Sequence, residues 1–134
     1  MEQTNKPQFV IDDDPIVDWP VIVKLPSSGG RFTEYEFSVS MRVLSPKEYE
    51  DIFDKTKAPS DPSSSKLSEI IEMDVPLFQR LIIGWSGVTD RDGNEVEYSP
   101  EKLAEQVTGP RGLPLQAGLM RAISEIRYGA RLGN

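Results

Sequence analysis

Strict alternation of apolar and polar side chains is the clearest pattern in the chain. Between residues 34 and 43 the apolar positions are Tyr35, Phe37, Val39, Met41 and Val43. A period of two places one face of a strand on a core and the other in water. The β-branched stretch 21–25, the Ser and Gly residues 27–30 and this strand together predict an antiparallel hairpin.

Two Ser-Pro pairs predict the starts of helices. Residues 45–48 place Ser at an N-cap, Pro at the first helical position and Glu at the third, which is the capping-box arrangement. Ser99-Pro100 repeats this start. It predicts a short helix through Val107, ended by the Gly-Pro pair at 109–110.

Helical spacing of apolar residues marks the middle of the chain. Apolar side chains stand at 67, 70 and 71, and Phe78, Leu81, Ile82 and Trp85 follow the spacing i, i+3, i+4, i+7. This predicts helices over 66–73 and 78–85, with Trp85 as a core anchor. Pro76 either starts the second helix or kinks one long helix.

A last helix is predicted from about Leu115. Its apolar stripe consists of Leu115, Leu119, Ala122, Ile123 and Ile126, with Arg121 and Arg127 beside it. The helix either packs on the hairpin or presents a partner-binding surface. For the second alternative, the predicted contact residues are Leu119, Ile123, Ile126, Arg121 and Arg127.

These elements define an α+β fold, in which an N-terminal antiparallel hairpin or small sheet precedes a mainly helical region with a short second hairpin. Residues 15–134 are predicted to form a single domain, with a flexible Pro- and Ser-rich linker at 57–65. Residues 1–14 are predicted to form a mobile arm. Its apolar patch, residues 9–11, either adds an edge strand or has no fixed structure.

Composition narrows the classes of function. The net charge of −7 argues against nucleic acid as a partner. Between residues 111 and 134, however, four arginines accompany a single glutamate. The chain has no Cys and no His, which excludes Ser-His-Asp and Cys-His catalysis and thiolate or imidazole metal sites. This removes most enzyme classes, and we expect a protein of the cytoplasm with no cofactor and no membrane segment.

The stretch 90–101 resembles a calcium loop, because Asp90, Asp92 and Asn94 stand at positions one, three and five and Glu101 at position twelve. Position six, which favours glycine, is Glu95. The same residues fit a tight hairpin around an Asp-Gly pair, followed by a capped helix. We therefore interpret the stretch as a turn without a metal, and retain calcium binding as the alternative.

The segment from Leu81 to Leu103 contains Gly84-Trp85-Ser86-Gly87-Val88, then a turn from Asp90 to Gly93, and then the helix cap Ser99. This segment resembles the tail assembly chaperones of long-tailed bacteriophages and prophages. The shared pattern is an apolar helix ending in Gly-Trp-x-Gly-Val, an Asp- and Gly-containing turn, an aromatic residue before a Ser helix cap, and a Leu within that helix. The residues that form this motif are Gly84, Trp85, Gly87, Val88, Asp90, Gly93 and Ser99. With the final helix, the resemblance extends over residues 78–134.

This resemblance implies a non-enzymatic chaperone that binds the tape-measure protein, keeps its long apolar helices from aggregating and helps to recruit the tail-tube protein. It also implies a location in the cytoplasm of the bacterial host and absence from the finished virion, and it leaves homo-oligomer formation possible. The alternative is a minor tail or head-tail joining protein that remains in the particle. A calcium-dependent regulatory module is a third hypothesis.

Overall fold

The computed structural model describes residues 6–55 and 67–129, with side chains described except at 54–55 and 67–73. Three strands and four helices follow one another within these ranges. They are β1 (Ile16–Ser27), β2 (Arg31–Arg42), α1 (Pro46–Lys55), α2 (Leu67–Leu81), β3 (Ile82–Ser86), α3 (Pro100–Val107) and α4 (Gly112–Tyr128). The predicted α+β class is confirmed.

The predicted hairpin is the largest part of an antiparallel sheet of order β1-β2-β3. Its strands pair from Ile16 with Arg42 to Ser27 with Arg31, so both are longer than the periodicity indicated. Gly29 and Gly30 connect them at φ of 84° and 74°. L side chains rarely adopt this left-handed conformation, which explains the two glycines.

The predicted apolar face of β2 is buried in its second half only. Val39 and Met41 lie in the core, whereas Tyr35 is 53% exposed. The difference follows from β3, which pairs with β2 from Ser38 to Met41 and stops there. The end of the hairpin therefore extends beyond the third strand.

Both Ser-Pro sites start helices. At α1 the capping box is complete, because Glu48 N–H donates to Ser45 Oγ at 3.2 Å and Ser45 N–H donates to Glu48 Oε1 at 3.0 Å. Hydrogen bonds to the Glu48 carboxylate from the backbone N–H and the side chain of Ser45 lower the pKa of Glu48, since they favour its charged form. At α3, Ser99 Oγ accepts the N–H of Lys102 at 3.0 Å.

The middle of the chain corrects the sequence prediction. Pro76 lies inside one continuous helix, α2, so it does not start a second helix. The predicted second helix over 78–85 is wrong, because the helix ends at Leu81 and Ile82–Ser86 form β3. The apolar residues at this spacing lie at the end of a helix and on a strand, and both elements pack against the same core.

Helix α4 packs on β1 and closes the core. It begins at Gly112, three residues before the predicted start. At its centre a Cβ on Gly118 would lie 2.6 Å from the carbonyl oxygen of Ile22. Gly129 ends it in a left-handed conformation at φ 73°, and its N–H donates to Glu125 O at 2.9 Å.

The two predicted polar segments have different outcomes. Residues 57–65 lie outside the described residues. Residues 6–14 belong to no strand, and Phe9, Val10 and Ile11 are 94%, 75% and 83% exposed. Within the described ranges, none of the helices has the length and apolar character needed to cross a bilayer.

Candidate functional site

Trp85 is the centre of the segment that resembles the tail chaperones. It lies on β3 opposite Val39, instead of on the predicted helix, and is half-buried. Its indole N–H donates to the carbonyl oxygen of Val96 at 2.7 Å. Its ring meets Phe37 and Tyr98 edge-on, with centroids 6.4 and 5.1 Å away. Trp85 thus joins β2, β3 and the segment after the Asp-Gly turn.

The Asp-Gly turn has the hydrogen bonds of a small hairpin. Thr89 and Glu95 form an antiparallel bridge, and Val96 N–H donates to Val88 O at 2.9 Å. Gly93 adopts φ of 84°, as the hairpin interpretation requires. The turn is therefore closed by its own backbone.

Asp90 stabilises this turn from inside. Its Oδ1 accepts the backbone N–H groups of Asp92 and Asn94, both at 2.9 Å. A short polar side chain can accept hydrogen bonds from backbone N–H groups two and four residues ahead. These bonds take the place of strand-to-strand hydrogen bonds that so short a hairpin lacks. The first residue of the apparent calcium loop thus has a structural function in the turn.

The end of the motif connects to the core through Tyr98. Its hydroxyl donates to the carbonyl oxygen of Ile82 at 2.7 Å, where α2 changes into β3. Burial, with a smaller contribution from the Glu101 carboxylate, raises the pKa of Tyr98. Leu103 follows on α3 as a fully buried side chain.

The motif glycines differ in whether the fold requires them. Gly84 lies on β3 opposite Ser40, where a Cβ would make only an ordinary contact with Ser40 Cβ at 3.7 Å. Gly87 adopts φ of 79° beside Phe37, where the chain leaves the strand. The seven motif residues therefore form one hydrogen-bonded and packed unit on the sheet edge.

An open groove of about 620 Å³ lies between this unit and the end of the hairpin. Its apolar wall includes Val23, Leu25, Tyr35, Phe37 and Leu115. Arg91 and Arg111 line it from the turn and from the start of α4, and both are exposed. Sequence periodicity did not indicate this groove, because its walls come from five separated segments.

The predicted partner-contact residues on α4 divide into two sets. Leu119 and Ile123 are 0% and 1% exposed, so they pack inside the fold. For these two residues, the alternative that the helix packs on the hairpin holds. Their burial follows from the contact of α4 with β1. Ile126 is half-buried at the edge of that core.

The two arginines of α4 differ in exposure, because Arg121 is exposed and Arg127 is half-buried. Arg121 Nε is 3.8 Å from Glu125 Oε2. The Arg127 guanidinium lies 5.3, 4.9 and 5.2 Å from the ring centroids of Tyr49, Phe53 and Tyr128. Together with Ile126, these arginines remain the predicted partner contacts that a partner can reach in this conformation.

Comparison with known proteins gave no match, whether against protein-family models, curated proteins or solved structures.

Proposed function

We propose that this chain is a tail assembly chaperone of a long-tailed bacteriophage or prophage. The observation that supports the proposal is the integrity of the motif. The Gly-Trp-x-Gly-Val segment, the Asp-Gly turn and the Ser-capped helix are linked by hydrogen bonds from Trp85 to Val96 and from Tyr98 to Ile82. The spacing on which the resemblance depends is therefore a property of the fold.

In this function the chain acts by binding and has no catalytic role. Its partner is the tape-measure protein, whose long apolar helices need a soluble covering before the tail tube surrounds them. The end of α4 is the proposed contact, where the half-buried Ile126 and Arg127 and the exposed Tyr128 combine apolar surface with positive charge. Amphipathic or acidic helices fit such a surface.

Co-expression with the tape-measure protein of the same phage tests this function. We expect the partner to become soluble and to be retained with the tagged chain, and we expect Arg127→Glu to weaken retention. Lys47→Glu is the matched control, because it makes the same charge change at an exposed position of α1. Equal loss with both variants would remove the assignment of the α4 surface.

Mass spectrometry of purified virions distinguishes the chaperone from the alternative of a tail component. A chaperone leaves the particle, so peptides of this chain should be absent from mature tails and present in assembling lysates. Abundant peptides in mature tails would replace the chaperone proposal by that of a minor tail or head-tail joining protein.

A further inference from the structure

One edge of the sheet is open beside the groove. Residues 31–36 of β2 pair with β1 on one side, and β3 begins its pairing only at Ser38. On the other side of this segment, backbone N–H and C=O groups are available to a further strand. Tyr35, which lines the groove, stands in the middle of this open edge.

A second feature is the apolar patch before β1. Phe9, Val10 and Ile11 are 94%, 75% and 83% exposed, although they are consecutive, large and in part β-branched. Burial of three large apolar side chains that now lie in water would be favourable. Aromatic and β-branched residues also favour a strand. The acidic residues 12–14 follow directly.

The patch cannot reach the open edge of its own chain. Pro15 is fixed at the base of the hairpin, where its carbonyl oxygen accepts Val43 N–H at 3.0 Å. Tyr35 lies level with Val23, eight residues further along β1, which is about 26 Å away. Ile11 and Phe9 are separated from Pro15 by chain that spans at most about 14 and 22 Å. The occupant must come from another molecule.

We propose that the open edge of β2 and the adjoining groove bind residues 9–11 of a second copy of this chain as an added antiparallel strand. This is strand addition, in which main-chain hydrogen bonds provide affinity and alternate side chains fill pockets. The association does not depend on the proposed chaperone function.

The groove and the charges select one register. With Phe9 opposite Tyr35, Ile11 stands opposite Thr33. Tyr35 and Thr33 pair with Val23 and Leu25, the apolar wall of the groove. Phe9 and Ile11 of the second copy therefore face the groove, while Val10 faces water opposite Glu34.

Charge complements this register. Asp13 of the second copy stands opposite Arg31, and Arg91 and Arg111 line the adjoining groove. Within the described part of the chain, no ion pair is formed by Arg31, Arg91 or Arg111. An acidic segment that follows an apolar one matches a groove with arginines near its end.

Sedimentation velocity of the full chain tests the association. We expect a mass above the 15.0 kDa of one chain that rises with concentration. Phe9→Asp with Ile11→Asp should return the protein to monomer, and should not unfold it because both side chains lie outside the core. Gln8→Ser with Val10→Ser changes the outward side of the added strand without placing a negative charge opposite Glu34 or Glu36, and should retain the association.

Disulfide mapping tests the register, since the chain has no cysteine of its own. A 1:1 mixture of Val10→Cys and Glu34→Cys chains should form the 10–34 linkage on mild oxidation, because facing residues of antiparallel strands suit a disulfide. Val10→Cys mixed with Glu50→Cys, at an exposed position of α1, is the control.

Three results would overturn the proposal. They are a wild-type chain that is monomeric up to its solubility limit, an association unchanged by the Phe9 and Ile11 substitutions, and a 10–34 linkage no more frequent than 10–50. A wild-type chain that stays monomeric while its groove binds a different protein would overturn the proposal in the same way as the first result.

Discussion

Trp19 on β1 donates its indole N–H to Oε1 of Glu125 on α4, across 2.8 Å. Glu125 is only 4% exposed, and Arg121 approaches its other oxygen at 3.8 Å. A buried carboxylate is costly unless donors compensate for the water that it loses. The Trp19–Glu125 contact therefore fixes the last helix on the hairpin at a polar point inside an apolar interface.

Replacing Trp19 by Phe keeps most of the apolar surface and removes the donor. We expect the free energy of unfolding to fall by about 1–3 kcal/mol, because one hydrogen bond to a buried charged group is lost. Urea denaturation measures it. Glu125→Gln retains an acceptor for the indole and should cost less than Glu125→Leu in the presence of Trp19. A Trp19→Phe chain as stable as wild type would show that the contact contributes nothing.

Trp85→Ala tests the centre of the motif. The substitution removes the two edge-on ring contacts and the hydrogen bond to Val96, so we expect a loss of about 3–5 kcal/mol. Trp85→Phe keeps a ring between Phe37 and Tyr98 and should lose less. Thermal unfolding followed by circular dichroism measures both. An unchanged midpoint for Trp85→Ala would make Trp85 a candidate partner contact.

The sequence correctly predicted the elements that depend on residues close together in the chain. The alternation along residues 34–43 predicted β2, and the capping residues at 45–48 and 99–100 predicted the starts of α1 and α3. Each of these signals depends on neighbours within a few residues. The turn at residues 90–95 was predicted for the same reason, since Asp90 and Gly93 form it within the segment.

The predictions were wrong or incomplete where contacts between residues far apart in the chain determine the structure. Phe78, Leu81, Ile82 and Trp85 fit a helical stripe, but pairing with β2 draws residues 82–86 into the sheet. The Trp19–Glu125 contact joins residues 106 positions apart, which no periodicity reveals. A hint was present in Gly84, since a glycine within an apolar run weakens a helix.

Gly118→Ala tests the close approach of α4 to β1. Its Cβ would lie 2.6 Å from Ile22 O and 3.2 Å from Val21 Cγ1. The backbone oxygen cannot rotate away, so the helix must shift, and we expect a loss of about 1–3 kcal/mol despite the better helix propensity of alanine. Ala117→Ser, at an exposed neighbouring position, should cost less than about 0.5 kcal/mol. A stabilised Gly118→Ala chain would show a loosely packed interface.

Asp74 is expected to make stability depend on pH. Burial raises the pKa of its carboxyl above 3.8, and a hydrogen bond from Gln116 opposes this only in part. The folded chain therefore binds this proton at a higher pH than the unfolded chain. The contribution of Asp74 to stability falls as pH rises through its folded pKa, because ionisation is then disfavoured by burial.

Asp74→Asn removes this titration and keeps an oxygen to accept from Gln116. We expect the difference in thermal midpoint, variant minus wild type, to increase between about pH 4 and pH 7. Differential scanning calorimetry across that range measures the difference. Asp51→Asn, at an exposed position of α1, provides a control for general charge effects. A difference that stays constant with pH for Asp74→Asn would contradict the assignment.

Substitution of Asp90 distinguishes a structural turn from a calcium site. Its Oδ1 accepts two backbone N–H groups, so Asp90→Ala should lower the free energy of unfolding by about 1–2 kcal/mol, whereas Asp90→Asn retains an acceptor and should lose less. In a calcium site the same oxygen would be a ligand, and either substitution would weaken metal binding. Calorimetric titration with calcium distinguishes the two. We expect no heat of binding with wild type, and micromolar binding that disappears in Asp90→Ala would establish the calcium site instead.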